Sequence, residues 1–222
     1  MSNKVKITID ECEITAPEGE KLLWVALDND IYIPNLCALR EKDRPSASCR
    51  LCFVEVKGIP DPVTACTLPV TEGLVVKTRS PEVDRLVKTA FELLISDHRL
   101  GCKKCSANNS CELQKIAKER GFKFKSKRLK PFEKEDSVDE SMEQFTFDRS
   151  RCVLCGRCVW VDHHVAKVGA IGFSLRGIQR KVTTFGDYDL ADSPCTECGE
   201  CVKVCPVGAL SFNTAADSQG SG

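Results

Sequence analysis

The sequence has no excess of charge of either sign: 32 Lys+Arg stand against 32 Asp+Glu in 222 residues. A balanced chain lacks the basic field with which a dedicated nucleic-acid or membrane-surface binder holds phosphates. It also lacks any apolar run near the roughly 18 to 20 residues that a membrane-spanning helix needs. Its start, MSNKVKITIDECEI, has no apolar core of a secretory signal. These absences predict a soluble, cytoplasmic protein. Histidine is scarce, at three residues, and there is neither a G-x-G-x-x-G fingerprint nor a Walker loop. No flavin, NAD or other nucleotide site is therefore expected in this chain.

Cysteine, by contrast, is abundant. Fifteen thiols, an odd number, do not read as a disulfide framework in a reducing compartment. Free thiols packed as small hydrophobes explain scattered cysteines but not regular spacing. Cys12 stands alone and reads as an ordinary packed thiol in a strand. The other fourteen fall into four groups, which predicts four metal sites.

In CTECGECVKVCP, the residues Cys195, Cys198, Cys201 and Cys205 follow the C-x2-C-x2-C-x3-C-P run of bacterial iron-sulfur proteins, whose fourth Cys serves the other cluster of a pair. The partner run is RCVLCGRCVWVDHH, with Cys152, Cys155 and Cys158 at the same spacing. One four-iron core is then held by Cys152, Cys155, Cys158 and Cys205. The second has Cys195, Cys198 and Cys201, and symmetry puts its fourth donor at Asp162. His163 and His164 follow directly, so the fourth ligand stays open between a carboxylate, an imidazole and no protein donor; a carboxylate, harder than a thiolate, leaves that iron more exchangeable or the core with three irons. Upstream, His98, Cys102, Cys105 and Cys111 form H-x3-C-x2-C-x5-C. Three thiolates within ten residues need a fourth donor, and His98 lies just outside the first. A neutral imidazole in place of a thiolate makes the site less negative and favours its reduced form. Alternatively, His98 is a capping cation at a helix end.

The first group, Cys37, Cys49, Cys52 and Cys66, keeps a central C-x2-C with two flanking thiolates, a set that suits two irons or one zinc. Around it, VKITI and ITA alternate as a hairpin, EKLLWVALDND reads as a short amphipathic helix, and CFVEV and LVVKT read as strands. Ser80 and Pro81 open a helix whose apolar face is Val83, Leu86, Val87 and Ala90. From Lys115 to Lys130 the chain carries eight basic residues, and from Glu133 to Glu143 six acidic ones, the pattern of a solvated helix face and linker.

SCRLCFVEVKG with its flanking Cys37 and Cys66, the His98 to Cys111 segment ending in CELQ, and the two ferredoxin runs carry a resemblance over residues 1 to about 212. The chain resembles the N-terminal iron-sulfur region shared by the large iron-sulfur subunit of respiratory complex I, iron-only hydrogenases and the diaphorase small subunit of NAD-linked hydrogenases. The resemblance implies an α+β architecture. A β-grasp [2Fe-2S] domain is expected over 1–79, a small helical domain with a His-ligated [4Fe-4S] cluster over 80–120, and a bacterial ferredoxin-like domain with two [4Fe-4S] clusters over 148–212. A charged linker, 121–147, and a disordered tail, 213–222, complete the expected organisation. Asp162 departs from the pattern, where Cys is expected.

The same resemblance implies an electron relay without substrate chemistry of its own, since no residues remain after the ferredoxin domain for a catalytic one. Its expected partners are a flavoprotein that oxidises NAD(P)H and a catalytic metal subunit. That subunit is foremost a hydrogenase, otherwise a formate dehydrogenase or another NADH-linked module, with a soluble ferredoxin as a third partner if the complex bifurcates electrons. Two readings from other classes use the same thiols: a zinc-stapled scaffold, colourless and not reducible, and an iron-sulfur redox sensor, which needs an output domain.

Overall fold

The structure is a computed structural model and describes residues 3–125, 128–129 and 137–213. Most of the expected tail, 214–222, lies outside the described residues, as do 126–127 and 130–136 of the expected linker. The chain forms two compact units, 1–93 and 94–222.

In the first unit, β1 (Lys4–Ile9) and β2 (Cys12–Pro17) pair antiparallel, Ile9 opposite Cys12. The turn between them is two residues, Asp10 and Glu11, both at positive φ, the twist that a tight hairpin requires. Asp10 is held there by Thr78, whose backbone N–H donates to its carboxylate at 2.8 Å. Three further strands, β3 (Phe53–Val56), β4 (Val63–Thr64) and β5 (Val75–Lys77), complete a five-stranded sheet in the order β2-β1-β5-β3-β4. β1 and β5 run parallel, so a crossover lies between them. It includes α1 (Leu22–Asp28), whose Leu22, Leu23, Val25 and Ala26 are buried. These side chains pack with Val5, Ile7 and Ile9, the inward residues of a strand that alternates every second position. Burying each large side chain contributes about 1.5–3 kcal/mol, the main force that closes this unit. Cys12 heads β2 but is exposed, so it is not the packed thiol that its strand context suggested.

α2 (Pro81–Ser96) starts as its sequence predicts: the Ser80 hydroxyl accepts from the Val83 N–H at 3.2 Å. Val83, Val87, Phe91 and Ile95 are buried at four-residue steps, while the expected Leu86 is only half-buried.

The second unit opens with a 3-10 turn at Cys102–Lys104 and α3 (Glu112–Arg120), stopped by Gly121 in the left-handed region. A three-stranded antiparallel sheet follows, β10-β7-β6, from β6 (Val138–Asp139), β7 (Phe145–Asp148) and β10 (Leu210–Phe212). Between β7 and β10 lie α4 (Arg157–Val161), a π-helical turn over Asp162–Ala166, the hairpin β8 (Ile171–Ser174) and β9 (Lys181–Thr184), and α5 (Glu200–Lys203).

Within the expected linker, 138–139 and 145–147 therefore supply strands, where the charge pattern read as linker. Asp139 shows why. Its buried carboxylate accepts from the Ser141 N–H at 3.1 Å, the Ser141 hydroxyl at 2.6 Å and the Leu190 N–H at 2.9 Å, with the Arg149 guanidinium at 3.5 Å. Burial works to raise this carboxyl, but those hydrogen bonds and the Arg149 charge outweigh it and hold it below the usual aspartate range.

Candidate metal centres

In the first unit, Cys37, Cys49, Cys52 and Cys66 are all buried. They associate as two pairs. Cys37 and Cys49 have their sulfurs 3.4 Å apart, and hydrogen bonding within the pair lowers Cys37 to about 5 and raises Cys49. Cys52 is likewise raised and Cys66 lowered by their mutual hydrogen bond. Each pair thus parts readily with one proton and keeps the other, the place a metal cation would take. Ala47 and Arg50, on either side of Cys49, adopt positive φ without being glycine, a strained loop of the kind found around bound groups.

Three further donor sets line three hollows in the second unit. His98, Cys102, Cys105 and Cys111 line one of about 300 Å³. Cys152, Cys155, Cys158 and Cys205 line one of about 310 Å³. Asp162, Cys195, Cys198 and Cys201 line one of about 280 Å³. Among the described residues no three His, Cys, Asp or Glu side chains gather as a single-ion site would require.

Sequence spacing singles out these side chains, but it is silent on what surrounds them. The two ferredoxin runs share a backbone pattern: Leu154 and Glu197 precede the second Cys of each run at positive φ, and Gly156 and Gly199 follow it, also at positive φ. Alternation of right- and left-handed residues turns successive N–H groups inward, forming concavities suited to anions, iron-sulfur cores with their bound thiolates among them. The Leu154 N–H accordingly donates to the Cys152 sulfur at 3.4 Å. Glu197 is anchored by its carboxylate, which accepts from the Gln144 N–H at 3.1 Å. In the His98 hollow, Cys111 stands at the start of α3; burial raises its thiol, opposed by the Gln114 and Leu113 amides aimed at the sulfur.

Two residues of that hollow carry no sequence signal. Burial works against the Arg151 charge, yet bonds to Asp148, at 2.7 Å from Nε, and to Cys105 outweigh it and raise the guanidinium above its ordinary value. Gly208 approaches so closely that a Cβ there would lie 2.4 Å from the Cys105 sulfur.

Five thiols of the other two hollows are hard to ionise as they stand. Burial pushes Cys155 and Cys201 up to about 12 and raises Cys158, Cys195 and Cys205 as well. A cationic core would offset that cost. Asp162 is buried and lines its hollow, whereas neither neighbouring histidine does. His163 Nε2 lies 3.0 Å from the Ile171 carbonyl oxygen, and His164 stacks on Trp160 with Nδ1 3.0 Å from the Trp160 carbonyl oxygen.

The three hollows adjoin. Arg151 lines the His98 hollow and Cys152, the next residue, lines the middle one. Gly208 lines the first and Pro206 and Val207 the second, and the Glu112 N–H donates to the Pro206 carbonyl at 2.9 Å. Phe147 and Phe145, alternate residues of β7, line the middle and last hollows respectively.

Soft thiolates, an imidazole and inward amides form a donor set that suits iron-sulfur cores. The class is an iron-sulfur protein built of ferredoxin-like domains. Family comparison agrees along the chain: residues 2–81 match a 2Fe-2S iron-sulfur cluster binding domain, 88–125 the NADH-ubiquinone oxidoreductase-G iron-sulfur binding region, and 143–211 the NADH-quinone oxidoreductase subunit 3 ferredoxin-like domain.

Among relatives, the NAD-reducing hydrogenase HoxS subunit gamma of Cupriavidus necator is 32% identical over 209 residues, 93% of this chain and 86% of that protein. The chain belongs to the family of this subunit. A crystal structure of NAD+-reducing [NiFe]-hydrogenase in the H2-reduced state contains a chain with the same fold, at TM-score 0.84 and 30% identity, covering 96% of this chain and 89% of that one. The NADP-reducing hydrogenase subunit HndD of Solidesulfovibrio fructosivorans is 36% identical over 211 residues, but this chain spans only 35% of its length.

Proposed function

We propose that this chain is the electron-relay subunit of an NAD(P)H-linked oxidoreductase, foremost a hydrogenase, passing electrons between a flavoprotein and a catalytic metal subunit. Cys37, Cys49, Cys52 and Cys66 hold a [2Fe-2S] cluster in a β-grasp domain, each thiol pair serving one iron. His98 with Cys102, Cys105 and Cys111 holds a [4Fe-4S] cluster, and Cys152, Cys155, Cys158 and Cys205 hold another. Cys195, Cys198 and Cys201 hold a third with a donor other than thiolate. These cores supply the one-electron chemistry; the chain binds them, excludes water and sets their charge surroundings. A soluble ferredoxin is a candidate third partner, and the cytoplasm the expected compartment. No described helix is long and apolar enough to cross a membrane.

The observation that carries this reading is the row of three adjoining hollows, which lets an electron step through the second unit without leaving it. Charge grades the row. Arg157 lowers the cost of negative charge at Cys155 and Cys205, while the equivalent position of the other run is Glu200, close to Lys203 at 2.7 Å. The middle site should therefore accept electrons more readily than the Asp162 site.

In the anaerobically isolated complex, mixing with NAD(P)H should reduce the clusters of this chain after the flavin and before the catalytic metal. Turnover with every cluster of this chain left oxidised would contradict the relay.

A further inference from the structure

We propose that the Cys195, Cys198 and Cys201 site is closed by an Asp162 carboxylate oxygen, which makes one iron corner releasable by mild oxidation and refillable by a divalent cation. The inference rests on the iron-sulfur reading above and deepens it.

The two runs place their donors in mirrored fashion. Cys201 lines the last hollow, and four residues further on Cys205 lines the middle one; Cys158 lines the middle hollow, and four residues further on Asp162 lines the last. Each short helix thus straddles both sites, and Asp162 occupies the place that Cys205 fills on the other side. The backbone is adjusted there. α4 widens into the π turn at Asp162, a distortion that accompanies functional positions, and Lys167 ends it at positive φ. Asp162 is also held from behind: its Oδ2 accepts from the Ile171 N–H at 3.1 Å, while the Ile171 carbonyl oxygen engages His163. One residue, Ile171, therefore orients the carboxylate through its N–H and occupies the His163 Nε2 through its carbonyl, so that the imidazole, 3.9 Å from the same Oδ2, stays outside the lining of the hollow. Oriented from outside in this way, ligating carboxylates and imidazoles keep a fixed geometry.

The chemistry follows from the donor. Oxygen is a harder ligand than sulfur, binds iron of a sulfide core less firmly and suits exchangeable divalent ions. With a one-electron oxidant such as ferricyanide, the [4Fe-4S]2+ core gives up one electron and the bond between Asp162 and iron breaks. Fe2+ leaves, and a [3Fe-4S]+ core remains on Cys195, Cys198 and Cys201, with Asp162 still a carboxylate. Ferricyanide takes the electron and becomes ferrocyanide. One electron and one Fe2+ reverse the step, and another divalent cation can take the vacated corner.

The test compares the holo-protein with Asp162→Cys and Asp162→Asn under anaerobic ferricyanide titration, followed by paramagnetic resonance and iron analysis. The unaltered protein should develop a three-iron signal with loss of one iron per chain, reversed by Fe2+ and dithionite. Asp162→Cys should keep its iron and show no such signal. Asp162→Asn should develop the signal at a lower ferricyanide dose than the unaltered protein, with the signals of the other clusters unchanged as the check on folding. Equal resistance, or equal iron loss, in the unaltered protein and Asp162→Cys overturns the assignment while leaving the clusters in place. Protein isolated without iron and sulfide overturns the cluster reading itself.

Discussion

Replacing Arg151 by Met removes a cation that bonds Cys105 from within the His98 hollow. The side chain is 14% exposed, so solvent screens it only in part. Taken to act over about 6 Å at an effective dielectric of about 20, the unit charge is worth about 3 kcal/mol, or about 120 mV for one electron. Asp148 lies 2.7 Å from Arg151 Nε and opposes it; cancelling about half of the effect leaves about 60 mV. The sign is fixed: without the cation an added electron is less favourable, so the potential of the His98 site falls. Arg151→Lys, which keeps the charge but loses the fork, should fall by less. Potentiometric titration monitored by paramagnetic resonance reads each cluster separately. An unchanged or raised potential in Arg151→Met, at intact iron content, would refute the electrostatic reasoning.

Two other substitutions probe packing. Gly208→Ala puts a methyl group 2.4 Å from the Cys105 sulfur, so the His98 site should lose its cluster, read as four fewer irons per chain, while the other sites keep theirs. Asp139→Asn takes the charge from a buried carboxylate that ties β6 to the Leu190 turn, and should cost about 1–3 kcal/mol at neutral pH in denaturant unfolding. Because the folded carboxyl is held below its unfolded value, its contribution is complete above the unfolded pKa of about 3.9 and disappears as pH falls through the folded value. The gap between Asp139→Asn and the unaltered protein should therefore hold steady down to about pH 4 and close below it; a gap that widens in acid would be inconsistent with a lowered pKa.

Much of the first unit is legible in the sequence because it is built from long-enough periodic segments. β1 alternates over six residues, and α2 shows its cap, its proline and its four-residue stripe. Cysteine spacing likewise points to the groups that line the hollows, since at least three of the side chains at each hollow come from adjacent turns. What escaped has a physical cause in each case. β6 and β7 are two and four residues long, too short for any period to register, and their charged surroundings read as solvent-facing. Asp139 is buried because its acceptors are met by Ser141 and Leu190, and the Leu190 N–H lies 51 residues further along the chain, which no local pattern reveals. Arg151 and Gly208 act through a neighbouring segment, so neither has a motif. The left-handed Leu154 and Glu197 are residue types that normally avoid that conformation, and only the need to turn amides toward a sulfur explains them. The exposure of Cys12 follows from which face of β2 meets the core, a matter of register rather than composition.

The most direct test is metal and acid-labile sulfide analysis of anaerobically isolated protein, paired with paramagnetic resonance after dithionite. A brown protein with about 14 irons per chain and reducible centres of both two-iron and four-iron type is the expected result. A colourless protein carrying zinc, without sulfide and silent after reduction, would contradict it.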